Sequence, residues 1–188
     1  KATESLVGAM DIWCPTLDCY EKEFEFYRDR VEKGEEVWVY TCLEPTGPYL
    51  NRLLDMERIR PVLIEWANSL YPVKGFLHWG GNWFAVNPYK QSCVCMGQED
   101  YTNFKLNYSA QLPAGDCGVM YPGDLMPLST TRLEAHRIGF EDLYLIEQLK
   151  NKNEALAKEI VNTLVRSYKD YETDISLYRK TKKRLLEA

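Results

Sequence analysis

Apolar and polar positions along this chain switch between two periods. "SLVGAMDIW" (5–13) is a mostly apolar run ending in polar and aromatic residues, and it reads as a strand. In "DCYEKEFEFYRDRVEKG" (18–34), Tyr20, Phe24, Tyr27 and Val31 recur at helical spacing, and Gly34 sits at the stop. "EVWVYTCL" (36–43) follows, short, β-branched and aromatic, and apolar on both faces as a buried parallel strand is. "DMERIRPVLIEWANSLY" (55–71) predicts the next helix, with Asp55 as a candidate cap and Pro61 marking a bend or a first turn. "GFLHWG" (75–80) is the third strand. Strand–helix alternation of this kind predicts parallel pairing with right-handed crossovers.

A long irregular stretch, 82–128, holds Pro88, Pro113, Pro122 and Pro127; within it "VCMGQEDYTNFKLNYSA" carries the pattern of a short hairpin. "STTRLEAHRIGFEDLYLIEQLKN" (129–151) then predicts a helix opened by a capping box, Thr131 facing Glu134. The tail from Asn153 is helical by period, with a break expected near Lys169–Thr173. Three parallel strands cannot close a barrel, and their edges would be exposed. The pattern therefore leaves two architectures: an open sheet with helices on it, or the last three units of a (β/α)₈ barrel whose earlier strands lie upstream. In the second, 1–150 is the barrel portion and 151–188 a helical extension.

Composition narrows the partners. The 188 residues suffice for one ordinary domain, with 45% hydrophobic and 27% charged residues in the globular range. A net charge of −5 opposes a phosphate-binding surface, so nucleic acid is not expected. The basic end, "YRKTKKRLLEA", reads as the solvated face of a last helix. No apolar run approaches the ~20 residues of a membrane span, and the opening lacks the pattern of a signal peptide. The chain starts at Lys1, so a longer precursor is expected. Six cysteines are too sparse for a disulfide scaffold. Cys93 and Cys95 have poor spacing for zinc, and His78 and His136 form no HExxH pattern, so neither metal nor cofactor is expected.

In parallel α/β folds, ligands meet the carboxyl ends of the strands. Here those ends carry Asp11, Trp13 and Cys14; then Tyr40, Thr41, Cys42 and Glu44, running into Asn51 and Arg52; then His78, Trp79, Asn82 and Trp83; the loop "GDCGVMYPGD" adds Tyr121. Aromatics beside short hydrogen-bonding groups suit a sugar, whose C–H face stacks on a ring while its hydroxyls need directional partners. Blander readings stand beside this one. Trp38 and Trp66 read as core, His78 equally as a satisfied core histidine, and Asn51 and Arg52 as stitches in their own loop. A non-catalytic carbohydrate-binding or interaction module remains the alternative to an enzyme.

Taken in order, "DIWCP", "GEEVWVYTCLEPTGPYLNRLLDMERIRPVLIEWANSLYPVKGFLHWGGNWF", "GDCGVMYPGD" and "TTRLEAHRIGFEDLYLIEQL" resemble the C-terminal portion of the glycoside hydrolase family 123 catalytic domain, from about Leu6 to Leu149. The resemblance implies a (β/α)₈ barrel acting on glycosides with a terminal β-linked N-acetylgalactosamine. It also implies substrate assistance, in which the sugar's own acetamido oxygen attacks the anomeric carbon while an adjacent Asp-Glu pair orients it and supplies the acid. That pair belongs to an earlier strand end, and no Asp-Glu dipeptide in that order occurs in this chain. The resemblance thus assigns no catalytic residue here, only part of a sugar cleft: Trp13, Tyr40, Asn51, Arg52, His78, Trp79, Asn82, Trp83 and Tyr121. The expected partners are an N-acetylhexosamine-containing glycan and either the missing N-terminal part of the barrel or a second copy.

Overall fold

The computed structural model describes residues 3–84, 86–93 and 112–188, so the hairpin suspected at 94–110 lies outside the described residues. Three strands, β1 (Ile12–Trp13), β2 (Glu36–Thr41) and β3 (Gly75–His78), pair in parallel in that order. Trp13 lies opposite Val37, and Trp38 to Thr41 lie opposite Gly75 to His78. Because side chains alternate along a strand, this register sorts them onto two faces. Trp13, Val37, Val39, Thr41, Phe76 and His78 share the face that meets the helices. Ile12, Trp38, Tyr40 and Leu77 share the other, where Ile12 and Leu77 remain 42% and 37% exposed. Gly75 leaves room there for the Trp38 indole; a Cβ would come within 2.6 Å of the ring. The expectation that β2 is covered on both faces holds on the helix side alone among the described residues.

The start of the chain differs from its expected strand. A 3₁₀ turn occupies Glu4–Leu6, and Gly8, at φ 84°, turns the backbone, leaving two strand residues before Cys14. The first expected helix divides into α1 (Leu17–Lys22) and α2 (Phe24–Glu32) at Glu23, whose φ and ψ are −116° and 29°. Across that joint Tyr20 stacks on Tyr27 at 5.5 Å and meets Phe24 edge-on. Helix α3 (Arg60–Asn68) has Pro61 in its first turn, where the missing N–H costs nothing. Its cap position is Ile59, not Asp55.

Helix α4 (Thr131–Leu164) is capped one residue earlier than expected. Thr130, in extended geometry, accepts the Leu133 N–H on its hydroxyl at 3.2 Å, whereas Glu134 accepts from the Ser129 hydroxyl at 2.5 Å. The helix bends at Asn153, whose φ and ψ are −156° and 86°. Before it, β4 (Met120–Tyr121) and β5 (Leu128–Ser129) form a short antiparallel hairpin. The break expected near Lys169–Thr173 is a turn closed by a Val165–Tyr171 bridge, after which α5 (Ile175–Leu186), capped by Asp174, returns along α4.

One core joins these parts. Val37 and Val39 of the sheet pack with Leu63, Ile64 and Trp66 of α3, then with Ile146 and Leu149 of α4, and the cluster continues into Ile160, Leu164 and Tyr168 of the tail. Some buried polar groups are paired across it. The Trp66 indole N–H (2.9 Å) and the Tyr178 hydroxyl (2.7 Å) both donate to Asp142, which also faces Lys182 at 2.7 Å. Asp142 is salt-bridged and buried; Glu141 beside it is exposed. Tyr168 donates its hydroxyl to Asn68 at 2.7 Å, its N–H donates to Glu21, and its carbonyl accepts the Leu50 N–H at 2.8 Å.

Helices α3 and α4 approach closely at Gly139, where an added Cβ would lie 2.9 Å from the Val62 carbonyl oxygen and 3.0 Å from Glu65 Cγ. Neither atom is the free end of a flexible side chain, so Gly139→Ala must push the helices apart. A loss of about 1–3 kcal/mol is expected, read as a lower urea midpoint; an unchanged midpoint would show that the helix pair yields freely.

Candidate functional site

At the carboxyl ends of β2 and β3, three loop segments are tied to one guanidinium. Arg52 is wholly buried. Its Nη1 donates to the Cys42 carbonyl and to Asn51 Oδ1, each at 2.9 Å, and its Nη2 donates to the Asp116 carbonyl and approaches the Asp116 carboxylate at 3.3 Å. Asn51, equally buried, donates to the carbonyls of Cys42 (2.9 Å) and Pro45 (3.1 Å). The loop after β2, the segment leading to α3 and the loop at 113–118 are thereby held in one arrangement. Burial pulls the Arg52 guanidinium down to about 10, with Asp116 pulling the other way, and burial likewise holds the Asp116 carboxyl above its usual range despite Arg52.

A second guanidinium closes the same loop from α4. Arg132 donates to the carbonyls of Gly115 and Gly118, the latter at 2.8 Å, with Tyr121 beside it. Gly115 adopts φ 82°, and a Cβ there would sit 2.7 Å from Arg132 Nη1, so both backbone conformation and space demand glycine. Two histidines lie beneath this pair. His78 accepts the Gly80 N–H on Nδ1 at 3.2 Å; His136 packs its ring on Phe76 at 5.2 Å. Both are neutral: burial first, then the charges of Arg52 and Arg132, lower His136 to about 4 and His78 further still.

Above the floor lies an aromatic ledge. The Trp79 indole N–H donates to Asp116 Oδ1 at 3.3 Å, and the Trp83 ring stands 5.3 Å from Trp79, tilted 51°. Each of these indoles is 39% exposed. The stretch "GFLHWGGNWF" divides after His78. Phe76 and His78 face inward, whereas Trp79 and Trp83 keep open ring surface. Tyr121 is half-buried and meets Tyr89 edge-on at 5.3 Å.

The structure therefore joins Asn51, Arg52 and Trp79 through Asp116, with Trp83 against Trp79, Tyr121 beside Arg132 and His78 on the Gly80 amide. It does not bring in Trp13, which points to the helix layer, edge-on to Phe26 at 5.2 Å, its N–H on the Glu35 carboxylate and only 3% exposed. Nor does Tyr40 join: its ring lies on the opposite sheet face, beside Leu77. Asn82 is exposed next to Trp83. Asp116, Arg132 and His136 were not among the sequence candidates. The signal for Asp116 was the paired glycines of "GDCG", which hold Gly115 and Gly118 at positive φ around it. Among the described residues no group of three or more metal-ligating side chains comes together, and Cys14, Cys19, Cys42, Cys93 and Cys117 are free thiols.

Comparison with known proteins decides the affiliation. Residues 6–149 match the model of the glycoside hydrolase 123 catalytic domain, most of the chain. The chain belongs to glycoside hydrolase family 123. No curated protein matches it. A solved family 123 glycoside hydrolase from Clostridium perfringens, described for glycolipid glycan hydrolysis, shares the fold with a TM-score of 0.58 at 19% identity. The match covers 97% of this chain but 32% of that one, so the chain spans about a third of that relative's length. The family 123 portion in hand is a mixed α/β unit with a small parallel sheet and flanking helices.

The neutral histidines make the family 123 unit sensitive to acid. In the unfolded chain a histidine titrates near ~6.5, whereas in the fold His136 does so at about 4. Between those values the unfolded state binds more protons, so stability falls as pH drops from about 6.5 toward 4. Urea unfolding at pH 7 and pH 4.5 is expected to show a loss of about 1.4 kcal/mol per pH unit from this residue, and His136→Phe is expected to flatten the slope. An equal slope in the variant would remove His136 as the cause. Arg52→Met, which leaves Asp116 buried with its cation gone, is expected to cost about 3–5 kcal/mol by the same measurement.

Proposed function

We propose that this chain is the C-terminal part of a (β/α)₈ glycosidase that removes a terminal β-linked N-acetylgalactosamine from glycans. The observation that carries this reading is the family 123 match over residues 6–149, joined to an aromatic ledge held at the strand ends by Asp116. The exposed sheet face supports the barrel: Ile12, Trp38, Tyr40 and Leu77 form the kind of apolar surface that a closed parallel sheet turns inward. In that setting the chain supplies strand units of the barrel, and the residues after 150 form its helical extension.

In the proposed reaction the substrate's acetamido oxygen attacks the anomeric carbon, and the aglycone oxygen leaves with a proton from a glutamate. An aspartate orients the acetamido group. Water then opens the oxazolinium-like intermediate with net retention. Both carboxylates are encoded outside this chain, whose described site offers none in an accessible pair. Its residues act by position: Trp79 and Trp83 present ring faces for the sugar's C–H surface, while Arg52 and Arg132 keep the loop beneath them fixed. Asp116, buried beneath the ledge, accepts the Trp79 N–H and so sets the orientation of that ring.

Two measurements test this. The full-length gene product is expected to release the chromophore from a chromogenic N-acetyl-β-galactosaminide, and the 188-residue chain alone to release none. Activity in the short chain would overturn the assignment of both carboxylates elsewhere, and an inactive full-length product would overturn the reaction class. In the full-length enzyme Trp79→Ala is expected to raise KM by up to about tenfold, the worth of one ring contact. An unchanged KM would remove the ledge from the substrate site.

A further inference from the structure

A groove of about 670 Å³ lies between the starts of α3 and α4 and the length of α5, sharing no lining residue with the Trp79–Trp83 ledge. Its size falls within the range of small-molecule sites, roughly 300–1,000 Å³. Ile59, Val62 and Ala135 form its buried floor, and Ile138 and Ile175 its half-open walls. Arg58 and Arg179 stand on its border.

The charges around this groove are unevenly spent. Lys182 is committed to Asp142 at 2.7 Å, and Glu134, the one carboxylate among the described residues lining the groove, is committed to Arg137 at 2.7 Å and to Ser129. Arg58 uses one N–H on the Leu54 carbonyl at 3.0 Å and no described carboxylate faces it. Arg179 is exposed, and among the described residues no carboxylate engages it. Two guanidinium groups with donors to spare thus border an apolar trough in a protein of net charge −5. A guanidinium fork matches a carboxylate in bidentate geometry, and the floor between the two is apolar.

From this complementarity we infer that the groove binds a small amphiphilic carboxylate, its apolar body laid on Ile59, Val62 and Ile138 and its anionic head between Arg58 and Arg179. The site is separate from glycoside hydrolysis and stands whether or not that reading holds. Decanoate, below its micellar concentration, is the probe, with decanol as its uncharged counterpart. Isothermal titration is expected to show saturable one-to-one binding of decanoate and much weaker binding of decanol. The double variant Arg58→Glu, Arg179→Glu is expected to weaken decanoate by about tenfold or more. Ile138→Trp, which fills the trough without touching the charges, is expected to weaken both ligands. Both variants should keep a cooperative melt, and the glycosidase activity of the full-length product should be unmoved by either. No saturable binding, equal binding of decanol, or decanoate affinity indifferent to both variants would overturn the site.

Discussion

A single buried cation sets the geometry on which everything at the strand ends depends. Placing a guanidinium out of water is costly unless its donors are met and its charge is opposed. Arg52 meets that cost by drawing in backbone carbonyls from the loop after β2 and from the loop at 113–118, with Asp116 as counter-charge. Those loops have no secondary structure to order them. What fixes them is the requirement that a wholly buried charge not go unanswered. Trp79 inherits its position from the same demand, since its indole hydrogen-bonds the carboxylate that faces Arg52.

Much of the fold was legible because strand and helix periods differ. The strands at 36–41 and 75–78, the helix opened by Pro61, and the break near residue 170 all follow from spacing and turn chemistry. The misreadings have local causes. The strand expected from 5 is shortened because Gly8 turns the chain, and the α4 cap falls at Thr130 because that threonine, not the next, has extended backbone geometry. Trp13 was read as cleft-facing because a strand of two residues carries too little alternation to reveal which face a side chain takes.

The candidate site was legible in its residue types and not in their roles. Asn51 and Arg52 stood out as polar residues after a turn-rich run, but their burial depends on Asp116, 64 positions later. Local sequence carries no measure of such a pairing. Trp79 and Trp83 were legible as a platform because the glycine pair between them ends the strand period. The opposite sheet face leaves Ile12 and Leu77 in water.

The tail beyond residue 164 has a bearing on this that its plain helical composition conceals. The amide of Leu50, immediately before the Asn51–Arg52 pair, finds its acceptor in the carbonyl of Tyr168, and that tyrosine is itself moored to Glu21 and Asn68. A stretch lying outside the family-matched span thus seats a residue inside it. Relatives with a different ending must supply another acceptor for that amide or hold that loop less firmly, so divergence in the tail and precision at the strand ends are not independent variables.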